Sequence, residues 1–406
     1  MFKTLHFSIT LFISAFLLFL IQPILSKLIL PLWGGSSEVW NTAMFFFQFL
    51  LLLGYLYGHL LTKYFPKKQF FIHLTLVFVC CVFKLPVTSN IEVDVDVNKL
   101  HSLHLFKLLF DKIGLLFLLI SATAPLLQKW FAYTRVKHAD DPYFLYGASN
   151  LGSILALVTY PIVIEPLSTI SAQLYSWSNI YVFLLLLFFS LIIPLRKYFF
   201  KKETTSHTQE VHKGNNKINL RLVLSWIALA FLPSSLLLGV TSELTNIVPS
   251  TPLLWVIPLL IYLLSFVIVF RKSSIVNESR MILILNYIII SVLTLQLYKS
   301  IQVLVYFPVI NLVLFFIITM VCLMRLYKLR PSTEHITIFY LWLSVGGVLG
   351  SLFNSIISVQ IFDTLFEYPL VAFIALFIIY SSKELKDIEK KHLIVFLLVT
   401  ILFLVY

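Results

Sequence analysis

Long apolar stretches, interrupted by short polar ones, fill the chain from end to end. Runs of spanning length lie near residues 6–33, 41–62, 69–87, 113–128, 143–164, 172–195, 219–241, 252–270, 281–297, 301–323, 336–359 and 365–381, and a shorter thirteenth lies at 393–406. A helix needs about 20 predominantly apolar residues to cross a bilayer. The pattern therefore predicts twelve crossings and one additional C-terminal hydrophobic helix, with only short connections between them. The opening run exceeds the apolar core of about 7 to 15 residues found in a leader peptide and has no small-x-small cleavage site, so it reads as the first crossing. One connection has a pattern of its own. In LHSLHLFKLLFDK (100–112), apolar residues recur at helical spacing with Lys107 and Lys112 interleaved, which predicts an amphipathic helix lying on the outer leaflet.

Charge orients these crossings. Of the 30 basic residues, 24 fall in every second connection, around Lys3, Lys63–Lys68, Lys129–Lys137, Arg196–Arg221, Arg271–Arg280, Arg325–Arg330 and Lys383–Lys391. The opposite connections carry acids such as Glu38, Glu92, Asp94, Asp96, Glu165, Asp363 and Glu367. By the positive-inside rule the basic side is cytoplasmic, the N-terminus is inside, and the expected location is a bacterial inner (plasma) membrane. The formal net charge of +12 then follows from topology and implies no nucleic-acid partner.

The longest cytoplasmic connection, 196–218, splits the runs six and six, which prompts a search for repeats. ASNLGSILALVTYPIVIEPL (148–167) aligns without gaps to GGVLGSLFNSIISVQIFDTL (346–365) at an offset of 198, sharing LGS and a terminal acid. Trp40 aligns with Trp255 at an offset of 215. The expected organisation is all-α, polytopic and MFS-like, two pseudo-symmetric six-helix bundles plus a short C-terminal helix. Residues 1–195 form the N-terminal bundle, 196–218 the basic linker, 219–382 the C-terminal bundle and 383–406 the basic segment with the extra helix.

Composition removes whole classes of function. With 60% hydrophobic and 12% charged residues and a mean hydropathy of +0.96, the chain is no soluble globular domain. Its 12 glycines never take the spacing of a phosphate-binding loop, so no nucleotide or S-adenosylmethionine site, no cofactor and no enzyme activity are expected. Cys80, Cys81 and Cys322 sit in apolar runs and read as packing residues. His101 and His104 are three apart without a third ligand nearby, and no metal is expected.

Three stretches together resemble a known family: IQPILSKLILPLWGGSSEVWNTAMFFFQFLLLLGYLYGHLL (21–61), DPYFLYGASNLGSILALVTYPIVIEPL (141–167), and PLLWVIPLLIYLLSFVIVF (252–270) with FYLWLSVGGVLGSLFN (339–354). They are similar to the membrane (MFS-like) half of the fused MFS transporter/spermidine synthases. The resemblance implies an MFS-like helical body. Family members often continue into a cytoplasmic aminopropyltransferase domain. The sequence ends at Tyr406 without the Gly-rich loop of such a domain, so no catalytic residue carries over.

Ionisable groups inside hydrocarbon are functional candidates by default. Lys27 lies six residues before Trp33, roughly 9 Å from the end of its run at 1.5 Å per residue. It can snorkel to the outer interface. Alternatively it pairs with Glu243, which lies one residue from its equivalent at the 215 offset. Gln22, just before Pro23, and Asn150, beside Gly147, Ala148 and Gly152, are the neutral substrate-binding candidates. Gly152, Gly346, Gly347 and Gly350 read as packing or hinge positions where helix backbones approach closely. Glu165 and Asp363 are repeat-related acids at outer helix ends.

Two classes of function fit. One is a secondary transporter of a small polar or cationic, polyamine-like solute, although few intramembrane acids are available for proton coupling. The other is a membrane scaffold or conduit for a separately encoded soluble enzyme of aminopropyltransferase or methyltransferase type, docked on the basic cytoplasmic loops.

Overall fold

The computed structural model describes residues 2–34, 37–90, 101–134, 136, 139, 141–199, 218–247, 256–270, 277–297, 301–362 and 366–380. The thirteenth run, Asp363 and most of the central linker lie outside the described residues, as does the side chain of His101. Every regular element among the described residues is helical. The elements are α1 (Phe2–Trp33), α2 (Ser37–Tyr64), α3 (Gln69–Lys84), α4 (His101–Leu109), α5 (Leu115–Ser121), α6 (Thr123–Tyr133), α7 (Leu145–Thr159), α8 (Glu165–Leu167), α9 (Ile170–Ser190), α10 (Ile192–Phe199), α11 (Leu220–Ile247), α12 (Val256–Val269), α13 (Glu278–Leu297), α14 (Ile301–Lys328), α15 (Ile336–Leu352), α16 (Ser358–Ile361) and α17 (Glu367–Tyr380). Within the described residues, each of the twelve long apolar runs is occupied mainly by helix. Seven helical stretches among the described residues are long and apolar enough to cross a membrane, and α3, α12 and α17 are shorter apolar helices. The chain is an integral membrane protein.

Prolines sit inside α1 (Pro23, Pro31), α11 (Pro233) and α14 (Pro308). Membrane helices tolerate them because neighbouring groups can satisfy the freed carbonyls. A left-handed Gly34, φ +77°, closes α1 with its N–H on Leu30 O at 2.9 Å, where a side chain would be strained. Three π turns interrupt the helical runs, at Phe110–Gly114, Tyr160–Ile164 and Phe353–Ile357. The second contains Pro161, which cannot donate to the α-helical ladder. In the third, Asn354 places its own Nδ2 on Gly350 O at 3.0 Å, a side chain inserted into the backbone ladder.

The chain clusters into two compact units: Met1–Gly34, Phe46–Leu224 and Arg330–Ser344 form the first, and Gly35–Phe45, Ser225–Leu329 and Val345–Tyr406 form the second. In the first, α1 lies against α7 at Gly152, where a Cβ would stand 2.3 Å from Phe12 O. Buried Trp177 Nε1 donates to Leu17 O at 2.9 Å, and Trp130 Nε1 to Gln69 Oε1 at 3.0 Å, so the largest core side chains leave no indole N–H open. In the second unit, α15 meets α11 at Gly346 and Gly350. A Cβ there would stand 2.5 Å from Ile227 O and 2.9 Å from Phe231 O respectively.

The 198 offset is visible in this packing. Gly152 and Gly350 are equivalent under it; the first brings α7 onto a backbone carbonyl of α1, the second α15 onto one of α11. Ser153 and Ser351, also equivalent, both donate back one turn, to Ser149 O and Gly347 O, each at 3.1 Å.

The 100–112 segment differs from its expected place. It is helical, but Leu105 and Leu109 are buried in the protein and Phe106 meets Phe46 and Phe49 of α2. Through the first π turn it continues into α5; Leu105, Phe106 and Leu109 pack on the protein, while Leu103 and Phe110 on the same stripe stay exposed. Lys112 closes the arrangement by donating to Asn90 O. The three cysteines are buried and unbridged, as packing residues are.

Candidate functional site

In the first unit, Lys27 stands on the last two turns of α1, and its Nζ lies 2.9 Å from Glu165 Oε1 at the start of α8. Both side chains are partly exposed, at 35% and 28%. Gln22 is buried and donates to Leu18 O, 3.3 Å away on its own helix. Asn150 is buried with no partner for its Nδ2. An unpaired buried amide is costly, which makes Asn150 the neutral candidate with hydrogen-bonding capacity to spare.

A second cluster in the same unit gathers around residues 330–344. Lys129 Nζ donates to the carbonyls of Thr333 and Glu334, both at 3.0 Å, and Tyr143 OH donates to Pro331 O at 2.9 Å. Arg330 reaches Asp141 Oδ2 at 3.2 Å while its guanidinium lies over the Tyr143 ring, 5.5 Å from the centroid. One turn further on, His59 Nδ1 and Thr337 Oγ1 are 3.1 Å apart. Deeper still, buried Tyr340 donates to Gln128 Oε1 at 2.9 Å, its ring against those of Tyr55, Tyr143 and Tyr146. Gln128 Nε2 is left without a partner. Sequence reasoning counted Lys129 and Arg330 only as topology markers and missed Gln128, Tyr143 and Tyr340, because no spacing rule links them.

In the second unit, Glu243 sits one turn before the end of α11 and accepts from Asn311 Nδ2 of α14. Tyr368 of α17 donates its hydroxyl to Asn311 O at 3.0 Å. The structure thus gives Lys27 and Glu243 separate partners, each within its own unit. Another ionic group lies at the end of the unit where α14 terminates. Arg325 Nε is 2.8 Å and Lys328 Nζ 2.6 Å from the two oxygens of Glu278, and Arg325 also donates to Ile378 O and Ile379 O at the end of α17. That group fastens three helix ends, with two bases sharing one carboxylate. Asn354 donates to Ser235 Oγ at 2.6 Å, tying the third π turn to α11. Among the described residues no group of three or more potential ligands could hold a metal.

Solved structures resemble this arrangement at full length. The proton:xylose symporter XylE aligns over 92% of this chain and 94% of its own, with a TM-score of 0.55 and 11% identity. The human organic anion transporter MFSD10 aligns over 91% and 99%, TM-score 0.52, 14% identity, and the nucleoside transporter NupG over 92% and 98%, TM-score 0.50, 16% identity. The fold is MFS-like. No protein-family model matches the sequence, and no curated protein matches it. An MFS-like body accounts for the repeat-related contacts at Gly152 and Gly350. At such low identity the likeness carries no substrate across.

Proposed function

We propose that this chain is a secondary transporter that moves a small polar or cationic solute across the bacterial inner membrane, with its N-terminus in the cytoplasm. The observation that carries the reading is the attachment of residues 330–344. A segment from late in the sequence is fastened at the basic, cytoplasmic end by bonds from Lys129 and Tyr143 to its carbonyls, by its own Arg330 and Tyr340 donating to Asp141 and Gln128, and by the His59–Thr337 contact. Polar contacts of this kind can be exchanged for water at little net cost, which suits an end that opens and closes. The MFS-like fold supports the same reading, and the organisation proposed with it is two halves, 1–195 and 219–382, joined by the 196–218 linker, with 383–406 appended. Polyamine-like solutes come first among those to test, on the resemblance of residues 21–61, 141–167 and 339–354 to the membrane half of the fused MFS transporter/spermidine synthases. Asn150 and Gln128, each with an open buried donor, are the residues placed on the solute path, and Lys27 and Glu165 guard the outer end.

Proteoliposomes supplied in turn with external labelled putrescine, spermidine and amino acids test the proposal. Uptake of one class above empty liposomes is the expected result. If none crosses and a soluble aminopropyltransferase-like or methyltransferase-like enzyme co-purifies, the scaffold reading replaces transport.

A further inference from the structure

On one side of the first unit an exposed apolar stripe turns cationic within a single helical turn. Val182, Leu186 and Phe189 of α9 and Ile193 of α10 are exposed, the last at 79%. Their spacing of four, three and four residues puts them on one face. The helix carries that face across the junction, since Leu191 N–H bonds Leu187 O and Leu195 N–H bonds Leu191 O. The next position on it is Arg196, also exposed. Apolar residues on the outside of a membrane helix face acyl chains, so Arg196 stands where the chains give way to head groups.

The end of α2 repeats the pattern. Leu56, Leu60 and Tyr64 are exposed four residues apart. Exposed Lys63 lies beside them, and Phe65, Lys67 and Lys68 follow, all exposed, in the turn to α3. Ring packing joins the two places. Phe199 of α10 stacks on Phe70 of α3 with centroids 5.8 Å apart and meets Phe71 at 6.3 Å, while Tyr198 stacks on Tyr133 of α6 at 4.0 Å. Arg196 precedes Phe199 by about a turn and Lys68 precedes Phe70 by two residues, so both bases border one seam. Neither 63–71 nor 192–199 contains an acid. The surface is apolar along the helix, aromatic at its rim and cationic at its end.

We propose that the seam between α3 and α10 binds an anionic phospholipid of the leaflet at the basic end. Its phosphate lies on Arg196 and Lys68, and its acyl chains lie along Val182, Leu186, Phe189 and Ile193. A guanidinium meets phosphate oxygens with paired donors, and the lysine adds a point charge. Tyr64 and Phe65 sit at the level where aromatic side chains favour the membrane interface. The apolar stripe leading to Arg196 selects a lipid: a free phosphate or an acidic peptide would satisfy the bases and leave the stripe uncovered. The site goes beyond the transport reading and does not depend on it.

The test uses the full chain in neutral detergent, titrated with phosphatidylglycerol or phosphatidylcholine of identical acyl chains, with retained lipid counted by native mass spectrometry. The site gives saturable retention of phosphatidylglycerol at concentrations about tenfold or more below those phosphatidylcholine needs, because each base near an anionic head group contributes about fivefold. That preference fades as salt is raised. Arg196→Gln and Lys68→Gln each reduce it about fivefold, Arg196→Lys keeps part of it, and Lys107→Gln, at an exposed position on α4, leaves it intact. Size-exclusion profiles verify that each variant is folded. Equal retention of the two lipids, or a preference unchanged in the Lys68→Gln/Arg196→Gln double variant, overturns the site. So does displacement of the lipid by equimolar glycerol 3-phosphate or by a glutamate-rich peptide, since an anion without chains would then suffice. A lipid preference in a chain that takes up no solute removes the transport reading and keeps the site, whereas uptake without the preference does the reverse.

Discussion

Alanine at Gly152 and alanine at Gly147, five residues apart on one membrane helix, should change stability in opposite directions. At Gly152 the added Cβ would stand 2.3 Å from Phe12 O, 3.1 Å from Phe12 C and 3.3 Å from Phe12 Cα. All three atoms are backbone of α1, so no rotamer change relieves the clash. The helices must part by about 1 Å to restore ordinary contact, an overpacking that costs about 3 kcal/mol, the upper end of its usual range. Replacing glycine by alanine in a helix returns about 1 kcal/mol, which leaves a net loss of about 2 kcal/mol. At Gly147 nothing lies within 4 Å of the new Cβ, so only the helix gain of about 1 kcal/mol remains. The two variants should therefore differ by about 3 kcal/mol. Gly350→Ala, with its tightest contacts at 2.9 Å from Phe231 O and Ser235 N, should fall between them. Apparent unfolding temperatures of the purified proteins, read by fluorescence-detected size exclusion after heating, give the order. If Gly152→Ala is as stable as the parent protein, or Gly147→Ala drops as far as Gly152→Ala, the close α1–α7 approach is wrong.

Lys27→Ala and Glu165→Ala should couple in a double-mutant cycle by about 0.5–1 kcal/mol, a modest value because both groups are partly exposed; coupling of Lys27 to Glu243 with none to Glu165 would restore the pair suggested by the repeat offset. Tyr340→Phe should cost about 1–3 kcal/mol, because it strips the remaining partner from buried Gln128, whereas Arg330→Ala should cost under about 1 kcal/mol, since Asp141 is largely exposed; thermal denaturation of the two variants side by side checks the order. Burial pushes the Glu278 carboxyl up, but the bonds from Lys328 and Arg325 and their charges outweigh it and hold the group below the ordinary carboxylate range. Its contribution is thus fully present above the unfolded-state carboxylate pKa and is lost as pH falls through the lowered value, so acid should destabilise the parent protein more than Glu278→Gln, and parallel pH profiles of the two would refute this. Cysteines placed at positions 94 and 210 should react from opposite faces of sealed vesicles, and labelling from one face would overturn the topology.

The apolar runs determined the crossings without help from tertiary structure, because a bilayer demands a spanning apolar helix whatever its neighbours are. Gly152 and Gly350 also read from the sequence as positions of close helix approach, and each lies against a neighbouring helix backbone: a residue without a side chain in a greasy helix has few other uses. Partners were a different matter. The depth and sign of Lys27 are readable, yet Glu165, which it meets, reads from the sequence only as an outer acid, since the bond depends on which helix ends come side by side. The amphipathic 100–112 segment shows the same limit in another form. Periodicity reveals that a face is covered, but protein and lipid tails are both apolar, and only the packing of Phe106 on Phe46 and Phe49 decides between them. Tyr340 was silent for a related reason: it lies in an apolar run, and its significance comes from what it touches, the amide of Gln128. Hydrophobicity is a property of each residue summed along the chain, whereas charge balance belongs to a neighbourhood, and only the tertiary structure decides which residues share one.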